Sequence, residues 1–330
     1  MNNVRYGIIG FGAFAERAIL PAIRSSPNSV VTAIQKRSLA EAEAKRREHG
    51  VPFAFDSAEA LCASAEVDAV FIVSSNARHH PETLIAARHG KHVLTEKPMA
   101  LSAAQGREMA EACRTAGVKF MVGHMLRFSP LVRRMHELVS SGALGDITAV
   151  RAEFFYDAGI SHRRWLWNAA EAGGGPLFDV GIHCLDTVRF VLGDPETAEV
   201  TGMTRDDGDG TRVERSSLMN VRFRTGTLCS VYSSFEAPYR RTFIEFIGSR
   251  GTLSAFNFTP SRVTAVLEWT KGAEGLPAET LREPFDVPDL YEAEVSHFSR
   301  CVLTGEAPAV RWEESVRNQE ILDAALIHRR

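Results

Sequence analysis

Residues 4–15 read Val-Arg-Tyr-Gly-Ile-Ile-Gly-Phe-Gly-Ala-Phe-Ala, and a helical pattern then continues to about Arg24. The apolar run predicts a buried strand, and a glycine at its end permits a tight turn. A second glycine lets the backbone approach a ligand, and the following helix presents its amino terminus to phosphate groups. The stretch predicts a dinucleotide-binding turn, with a ligand-free glycine turn as the alternative. The predicted contacts are Gly10, Phe11, Gly12, Ala13 and Phe14.

The next predicted strand, residues 30–35, is followed by Lys36, Arg37 and Ser38. In a dinucleotide-binding unit, a carboxylate at this point binds the ribose hydroxyls of NAD, whereas an arginine accommodates the 2′-phosphate of NADP. Residues 36–38 contain no carboxylate. The three residues therefore predict NADP in preference to NAD. In the alternative interpretation, Lys36 and Arg37 only begin the solvated face of the next helix.

Strand and helix patterns alternate through the first part of the chain. This alternation predicts a doubly wound parallel sheet, a Rossmann domain over residues 1–123. Longer alternating runs joined by glycine turns follow, which predict an α+β domain with an open, mostly antiparallel sheet over residues 124–330. We expect residues 204–210 to be a loop and a final helix at 312–327 to pack back on the first domain. The predicted strands are 4–9, 30–35, 68–73, 92–95, 118–122, 147–156, 218–223, 228–235 and 242–247.

Lys97 stands between Glu96 and Pro98, directly after the short apolar strand 92–95. Doubly wound sheets bind ligands beyond the carboxyl ends of their strands, so a lysine delivered there points at the ligand crevice. The alternative is a surface lysine before a turn-forming proline. A cis peptide is compatible with the Lys97–Pro98 bond.

Residues 176–192 predict one helix, preceded by three glycines and followed by Gly193. On a helical wheel, Asp179, His183 and Asp186 form one polar stripe on an otherwise apolar helix. Burying these groups requires partners, so the stripe faces either a polar cavity or a hydrogen-bond network. Asp179 and His183 form a carboxylate and imidazole pair suited to proton transfer, whereas Asp186 is the strongest candidate for a structural role.

Composition excludes several classes of protein. The chain has 330 residues, of which 45% are hydrophobic, and a formal net charge of −3, which favours neither a nucleic-acid nor a membrane partner. The five cysteines lack paired metal-ligand spacing, so we expect reduced thiols and no metal site. No signal peptide or membrane span is predicted, and we expect the cytoplasm.

These motifs together resemble the glucose-fructose oxidoreductase, inositol dehydrogenase and rhizopine-catabolism (Gfo/Idh/MocA) family. The resemblance rests on Gly10-x-Gly12-x-x-Ala15, Glu96-Lys97-Pro98, the segment 123–130 and the run from Gly173 to Asp186. It implies a Rossmann domain for NAD(P), a second domain that covers a sugar or polyol, and a homodimer or homotetramer formed through the carboxyl-terminal sheet.

The resemblance also implies roles for individual residues. Lys97, Asp179 and His183 would form the catalytic site, with Glu96 supporting the lysine and the cofactor. Ser75, Asn76 and His79 would lie near the nicotinamide ribose. Candidates for the substrate pocket, each of which could equally serve packing, are His124, Arg127, Tyr156, His162, Arg163, Trp165 and Trp167.

Three functions are compatible with these residues. The first is an NAD(P)-dependent oxidoreductase acting on a sugar, polyol or related diol. The second is a glycosidase or epimerase that uses a tightly held cofactor in a closed redox cycle. The third is a dinucleotide-binding regulator without catalysis, against which the joint presence of lysine, aspartate and histidine argues.

Overall fold

The computed structural model describes residues 3–161, 163–206, 212–259, 262–273 and 276–326. Two compact units divide the chain, one formed by Met1–Met125 with Tyr291–Gln319 and the other by Leu126–Leu290 with Glu320–Arg330. The elements up to Gly123 are β1 (Val4–Ile9), α1 (Leu20–Ser25), β2 (Ser29–Gln35), α2 (Leu39–His49), β3 (Phe53–Phe55), α3 (Ala58–Ala63), β4 (Ala69–Ile72), α4 (Asn76–Arg88), β5 (His92–Glu96), α5 (Ala103–Thr115) and β6 (Phe120–Gly123). The remaining elements are α6 (Pro130–Ser140), β7 (Ile147–Asp157), α7 (Ala169–Ala172), α8 (Ile182–Val191), β8 (Thr197–Arg205), β9 (Ser216–Phe223), β10 (Leu228–Ser234), β11 (Glu236–Gly248), β12 (Gly251–Phe256), β13 (Val263–Ala273), β14 (Leu276–Val287), α9 (Leu290–Thr304) and α10 (Trp312–Leu326).

The first unit contains a parallel sheet in the order β3-β2-β1-β4-β5-β6. Apart from the edge strand β3, its strands are short, mostly apolar and mostly buried on both faces, as parallel strands covered by helices require. Ile9, Val70 and Val93 share one core with Met109 of α5 and Val316 of α10. Each such side chain contributes about 1.5–3 kcal/mol on burial. The predicted doubly wound sheet is confirmed.

A single sheet also runs through the second unit, in the order β14-β13-β12-β11-β7-β10-β9-β8. Its pairs are antiparallel except for β7 with β10, which are parallel. Gly226 turns β9 into β10 with a positive φ of 92°, and the turn from Gly248 to Gly251 joins β11 to β12. The sheet class is therefore as predicted.

The helical segment after Pro176 differs from the prediction. In place of one regular α-helix, a π-helical turn covers Leu177–Gly181 and α8 follows. A Cβ on Gly181 would lie 2.6 Å from the Ser233 hydroxyl oxygen of β10, so the turn packs against the sheet where no side chain fits. A helical wheel assumes the same rotation for every residue. It therefore gives Asp179 the wrong angular position, because this residue lies inside the wider π-helical turn.

Two other boundaries also differ. β8 extends through Arg205, so the predicted loop begins later than residue 204, and its residues 207–211 lie outside the described part of the chain. The final helix ends at Leu326, and Ile327 is likewise outside the described residues. Within the described ranges, no helix has the length and apolar character needed to cross a bilayer.

Candidate active site

The predicted cofactor residues of the first unit lie at one edge of its sheet. All the strands of this sheet run parallel, so their carboxyl ends share that edge. The glycine turn follows β1, the Lys36–Ser38 segment follows β2, and Ser75 and Lys97 follow β4 and β5.

The glycine turn has the shape that a dinucleotide requires. Gly10 has a φ of +84°, and a Cβ at this residue would lie 2.7 Å from the Ser74 backbone. A Cβ at Gly12 would meet only the Gly10 carbonyl oxygen, at 3.9 Å. Contacts within the protein therefore require a glycine at position 10, whereas the space beside Gly12 is open to a ligand. These two glycines fit a bound pyrophosphate.

A π-helical turn, Ala15–Ile19, carries the chain from the glycine turn into α1. Pro21 lacks a backbone N–H and excludes the regular hydrogen bond at this point, which accounts for the wider turn. Phe11 is buried, its ring lies edge-on to His49, and its amide donates to the Gln35 carbonyl oxygen at 2.9 Å. The Phe14 ring packs edge-on to Tyr291.

The residues after β2 form a cationic corner at the start of α2. The Lys36 ammonium donates to the Phe11 carbonyl oxygen at 3.2 Å and pairs with Glu41 at 3.4 Å. Arg37 is exposed, and no described residue forms an ion pair with it. Ser38 caps α2, its hydroxyl accepting a hydrogen bond from the Glu41 amide. The corner thus combines two cationic side chains, one of them paired with Glu41, with a helix amino terminus, a position that favours phosphate.

Lys97 follows β5 directly, and the Lys97–Pro98 peptide is cis. The Lys97 amide donates to the Glu96 carboxylate at 3.2 Å, which supports the backbone at the lysine. Ser75 precedes α4 and Asn76 is its first residue. His79 lies one turn further along α4 and is only 1% exposed, so its ring has almost no surface for contact with a nucleotide.

In the second unit, Asp179 is held by two residues from the preceding segment. The Tyr156 hydroxyl donates to Asp179 Oδ2 at 2.7 Å, and the Arg163 guanidinium reaches both carboxylate oxygens at 3.2 Å. Arg163 also donates to the Tyr156 oxygen at 3.0 Å. Burial raises the pKa of Tyr156, with the Asp179 charge adding to the effect, while the Asp179 charge raises the pKa of Arg163. Tyr156 is therefore a neutral donor and Arg163 a permanent cation.

His183 lies one residue into α8, and its ring centroid is 6.0 Å from that of Phe154. Phe154 also contacts the Tyr156 ring, at 6.3 Å. His183 is 8% exposed and Asp179 is 6% exposed. The structure thus places the predicted carboxylate, imidazole and Tyr156 around one inward face of β7, within a single unit.

Arg127 is placed differently from the predicted substrate wall. Its guanidinium donates to both oxygens of Asp186, with distances of 2.6 to 3.2 Å, and lies over the Phe190 ring. Both partners of this ion pair are buried. The placement favours a structural role for Arg127, and it supplies the partner that the buried Asp186 requires.

The remaining pocket candidates have varied surroundings. His124 is buried at the end of β6 in the first unit. Trp165 and Trp167 belong to a 3-10 turn, Arg164–Trp167, and Trp167 packs edge-on to Phe235. His162 lies outside the described residues.

Two residues of the first unit were not singled out by the sequence. The Gln35 side chain accepts from the Gly10 amide at 3.1 Å, and so holds the glycine turn. Ser74 lies against Gly10 and donates to the buried Glu82 at 2.6 Å. Gln35 is the last residue of β2, and Ser74 lies two residues after β4, so both are at the ligand edge of the sheet. Their role can be recognised only once the order of the strands is known.

One group of described residues has the geometry of a metal site, formed by Glu16, Glu48 and His49. The Lys45 ammonium lies 2.6 Å from Glu16 and 3.0 Å from Glu48. This ammonium already pairs with both carboxylates, so the group is a surface charge network rather than a good cation site.

Comparison with known proteins gives consistent matches along the chain. A family model for the oxidoreductase family with an NAD-binding Rossmann fold matches residues 4–124, and one for the GFO/IDH/MocA carboxyl-terminal domain matches residues 132–254. A 1,5-anhydro-D-fructose reductase of Ensifer adhaerens is 31% identical, covering 94% of this chain and 92% of the relative. A D-xylose 1-dehydrogenase (NADP(+)) of Haloferax volcanii is 35% identical, covering 97% and 95%. The crystal structure of an aldose-aldose oxidoreductase from Caulobacter crescentus, complexed with glycerol, superposes with a TM-score of 0.87 at 28% identity, covering 98% and 96%.

Proposed function

The chain belongs to the Gfo/Idh/MocA family of NAD(P)-dependent oxidoreductases, and from that premise we propose that it transfers hydride between NADP and a CH–OH carbon of a sugar, polyol or related diol. The observation that carries the proposal is the edge of the first sheet, where a glycine turn open at Gly12 and the strand-end Lys97 occur together. Two relatives support the substrate class, the 1,5-anhydro-D-fructose reductase and the D-xylose 1-dehydrogenase (NADP(+)).

NADP is the proposed cofactor because the corner after β2 is cationic. Lys36, Arg37 and the start of α2 complement a 2′-phosphate, whereas NAD has no charge at this point for them to bind. Replacing both Lys36 and Arg37 by Ala is expected to weaken NADPH binding by about 10²-fold, at about 1–2 kcal/mol for each lost charged contact, and to change NADH binding much less. Equal losses of affinity for NADPH and NADH, measured by fluorescence titration, would contradict the proposal that this corner binds the 2′-phosphate.

For the chemistry, we assign one role to each of three residues. The nicotinamide, when bound, accepts the hydride from the substrate carbon. In oxidation, neutral His183 takes the hydroxyl proton, so that the C–O bond becomes a carbonyl. Lys97 stabilises the developing alkoxide by charge and hydrogen bond, and in reduction it polarises the carbonyl while His183 returns the proton.

Asp179 receives a positioning role rather than a proton-transfer role. Its two oxygens already accept from Tyr156 and from the Arg163 cation, so protonating it would break charge-assisted hydrogen bonds. A carboxylate held in this way keeps a fixed negative charge that can orient the imidazole or a substrate hydroxyl. The 41% exposure of the Arg163 side chain leaves part of it available to the substrate.

Lys97→Met tests the catalytic assignment. The variant keeps the length of the side chain and removes its charge, so we expect turnover to fall by at least about 10³-fold while NADPH affinity changes by less than about threefold. Lys91→Met is the matched control, since Lys91 lies at the opposite end of β5 and donates to backbone carbonyls there. Turnover that persists in Lys97→Met would refute the assignment.

A closed redox cycle is the second candidate, and one finding favours it. The structural neighbour named an aldose-aldose oxidoreductase passes reducing equivalents between two sugars, according to its name. If this chain worked similarly, or as a glycosidase or epimerase, product would form without net change in the nicotinamide. The two candidates share the roles of Lys97 and His183 and differ in how readily the cofactor exchanges.

A homo-oligomer and a cytoplasmic location complete the proposal. The outward face of the second sheet carries exposed or half-exposed aromatic side chains, which favour a contact between copies of the chain. All five cysteines are buried as free thiols, which suits a reducing compartment.

A further inference from the structure

We propose that His79 is a positioning residue for Lys97, because its imidazole bridges α4, the helix that follows β4, and the loop that follows β5. The inference rests on the proposed catalytic role of Lys97 and adds a residue that does not itself touch the reacting atoms. It also replaces the predicted cofactor contact of His79 with a contact to the backbone.

One ring nitrogen makes the bridge, because a neutral imidazole has a single N–H. His79 Nδ1 lies 2.9 Å from the Pro98 carbonyl oxygen, and Nε2 lies 3.3 Å from the Ser74 carbonyl oxygen. Pro98 follows Lys97 directly, and Ser74 belongs to the loop after β4. A shift of Pro98 would shift the Lys97 backbone as well, since one peptide bond joins them.

The ring is neutral. Burial lowers the pKa of His79 to about 4, with the Lys97 charge lowering it further and the two backbone contacts opposing the shift. A neutral imidazole has one N–H, and the shorter contact assigns it to Nδ1, which donates to Pro98. A protonated ring this close to Lys97 would instead repel the ammonium.

The same helix, α4, also holds Ser74, the residue that lies against the glycine turn. Ser74 lies against Gly10, and its hydroxyl donates to Glu82. Burial raises the pKa of the Glu82 carboxyl group. Arg78 also donates to Glu82, at 3.3 Å. Helix α4 thus supports the loop after β5 through His79 and the loop after β4 through Glu82.

Two substitutions test the bridge. His79→Asn places an amide N–H near the position of Nδ1 and keeps the donor to Pro98, whereas His79→Leu removes it. We expect His79→Leu to lower kcat about 10- to 100-fold, the effect of a displacement of about 1 Å at a catalytic group. His79→Asn should stay within about threefold of the wild type, and the NADPH Kd of both variants should change by less than about threefold.

A primary deuterium isotope effect on kcat separates positioning from general loss of structure. It should rise in His79→Leu, because hydride transfer slows relative to product release, and stay near the wild-type value in His79→Asn. If His79→Leu does not fold, His79→Gln replaces it, since its amide extends toward Ser74 instead of Pro98 and kcat should again fall below that of His79→Asn.

Unchanged kcat in His79→Leu, equal kcat in the Asn and Gln variants, or a loss confined to NADPH affinity would each overturn the positioning role. The proposed function fails separately. An active Lys97→Met variant would refute the role of Lys97, and with it the positioning role, whereas an inactive Lys97→Met with fully active His79→Leu would refute only the bridge.

Discussion

At the scale of single residues, the candidate site combines positions set by local sequence with hydrogen-bond partners from distant parts of the chain. Lys97 and Gly10 occupy the predicted strand ends because a short apolar strand and its turn are local features. The hydrogen bonds of Asp179 to Tyr156 and Arg163 could not be predicted. These partners lie 23 and 16 residues before Asp179, and an irregular segment separates them from it. His79 shows the same limit, since its partner at Pro98 depends on the order of the strands.

The titration of His79 gives a prediction at this scale. The pKa of His79 falls from 6.5 to about 4 on folding, so the unfolded chain binds this proton at a higher pH than the folded one. The stability from the neutral ring is therefore fully present above pH 6.5 and is lost as the pH falls toward 4. The loss amounts to about 3 kcal/mol, at about 1.4 kcal/mol for each pKa unit.

Urea unfolding of the wild type and of His79→Asn between pH 7 and pH 4 measures this difference. Other titrating groups are common to both proteins, His92 included, so they cancel in the comparison. We expect the wild type to lose about 3 kcal/mol more than the variant. Parallel stability curves would show that His79 accepts a proton in the folded state as readily as in the unfolded chain.

At the scale of elements, the strands with strong apolar patterns were predicted and the weak ones were missed. β3 has three residues and none of them is buried, and the six-residue α3 is too short for a periodic pattern. In β13 the apolar residues Val266 and Leu267 are adjacent, and β14 contains Pro277 and Pro284, so neither strand shows a clean alternation. The π-helical turn at Asp179 has no local signature beyond its glycines.

The two glycines of the turn after β1 give a matched prediction. Gly10→Ala forces a side chain into a left-handed conformation and against the Ser74 backbone, and we expect it to destabilise the protein by at least about 1–3 kcal/mol. Gly12→Ala meets only open space, so stability without nucleotide should change by less than about 1 kcal/mol.

NADPH affinity should also distinguish the two variants, because it depends on the space for the pyrophosphate and not on stability alone. Gly12→Ala folds normally but puts a methyl group where the pyrophosphate approaches, so NADPH affinity should fall at least about tenfold. Thermal unfolding and NADPH titration of both variants provide the measurements. A Gly12→Ala variant with wild-type affinity would place the pyrophosphate elsewhere.

At the scale of the whole molecule, alternation of strands and helices was enough to predict the class of each sheet. The parallel pairing of β7 with β10 was not predictable, because nothing local to either strand specifies a partner so far along the chain. The outward face of this sheet likewise emerges only from the register, which brings Tyr232 and Phe243 to either side of Glu153. Phe243 also contacts Phe256, with ring centroids 4.6 Å apart.

This face predicts self-association. Tyr232 and Phe256 are exposed, and a contact between copies would bury them. We expect the wild type to sediment as a dimer or tetramer, and Tyr232→Glu with Phe256→Glu to sediment as a folded monomer. Leu303→Glu, an equally exposed apolar position on α9, serves as the control and should leave the assembly intact. A monomeric wild type at micromolar concentration would contradict the proposed interface.

The most direct test of the central claim is a hydride balance. Purified protein is incubated with excess NADP and, in parallel, NAD, against a panel of aldoses, polyols and aryl glycosides, while nicotinamide absorbance and sugar products are recorded in the same wells. We expect substrate to reduce NADP in a one-to-one ratio to oxidised product, faster than it reduces NAD, and Lys97→Met to abolish both signals. Product or aglycone formed while the nicotinamide absorbance stays flat would contradict a net oxidoreductase and establish the closed redox cycle.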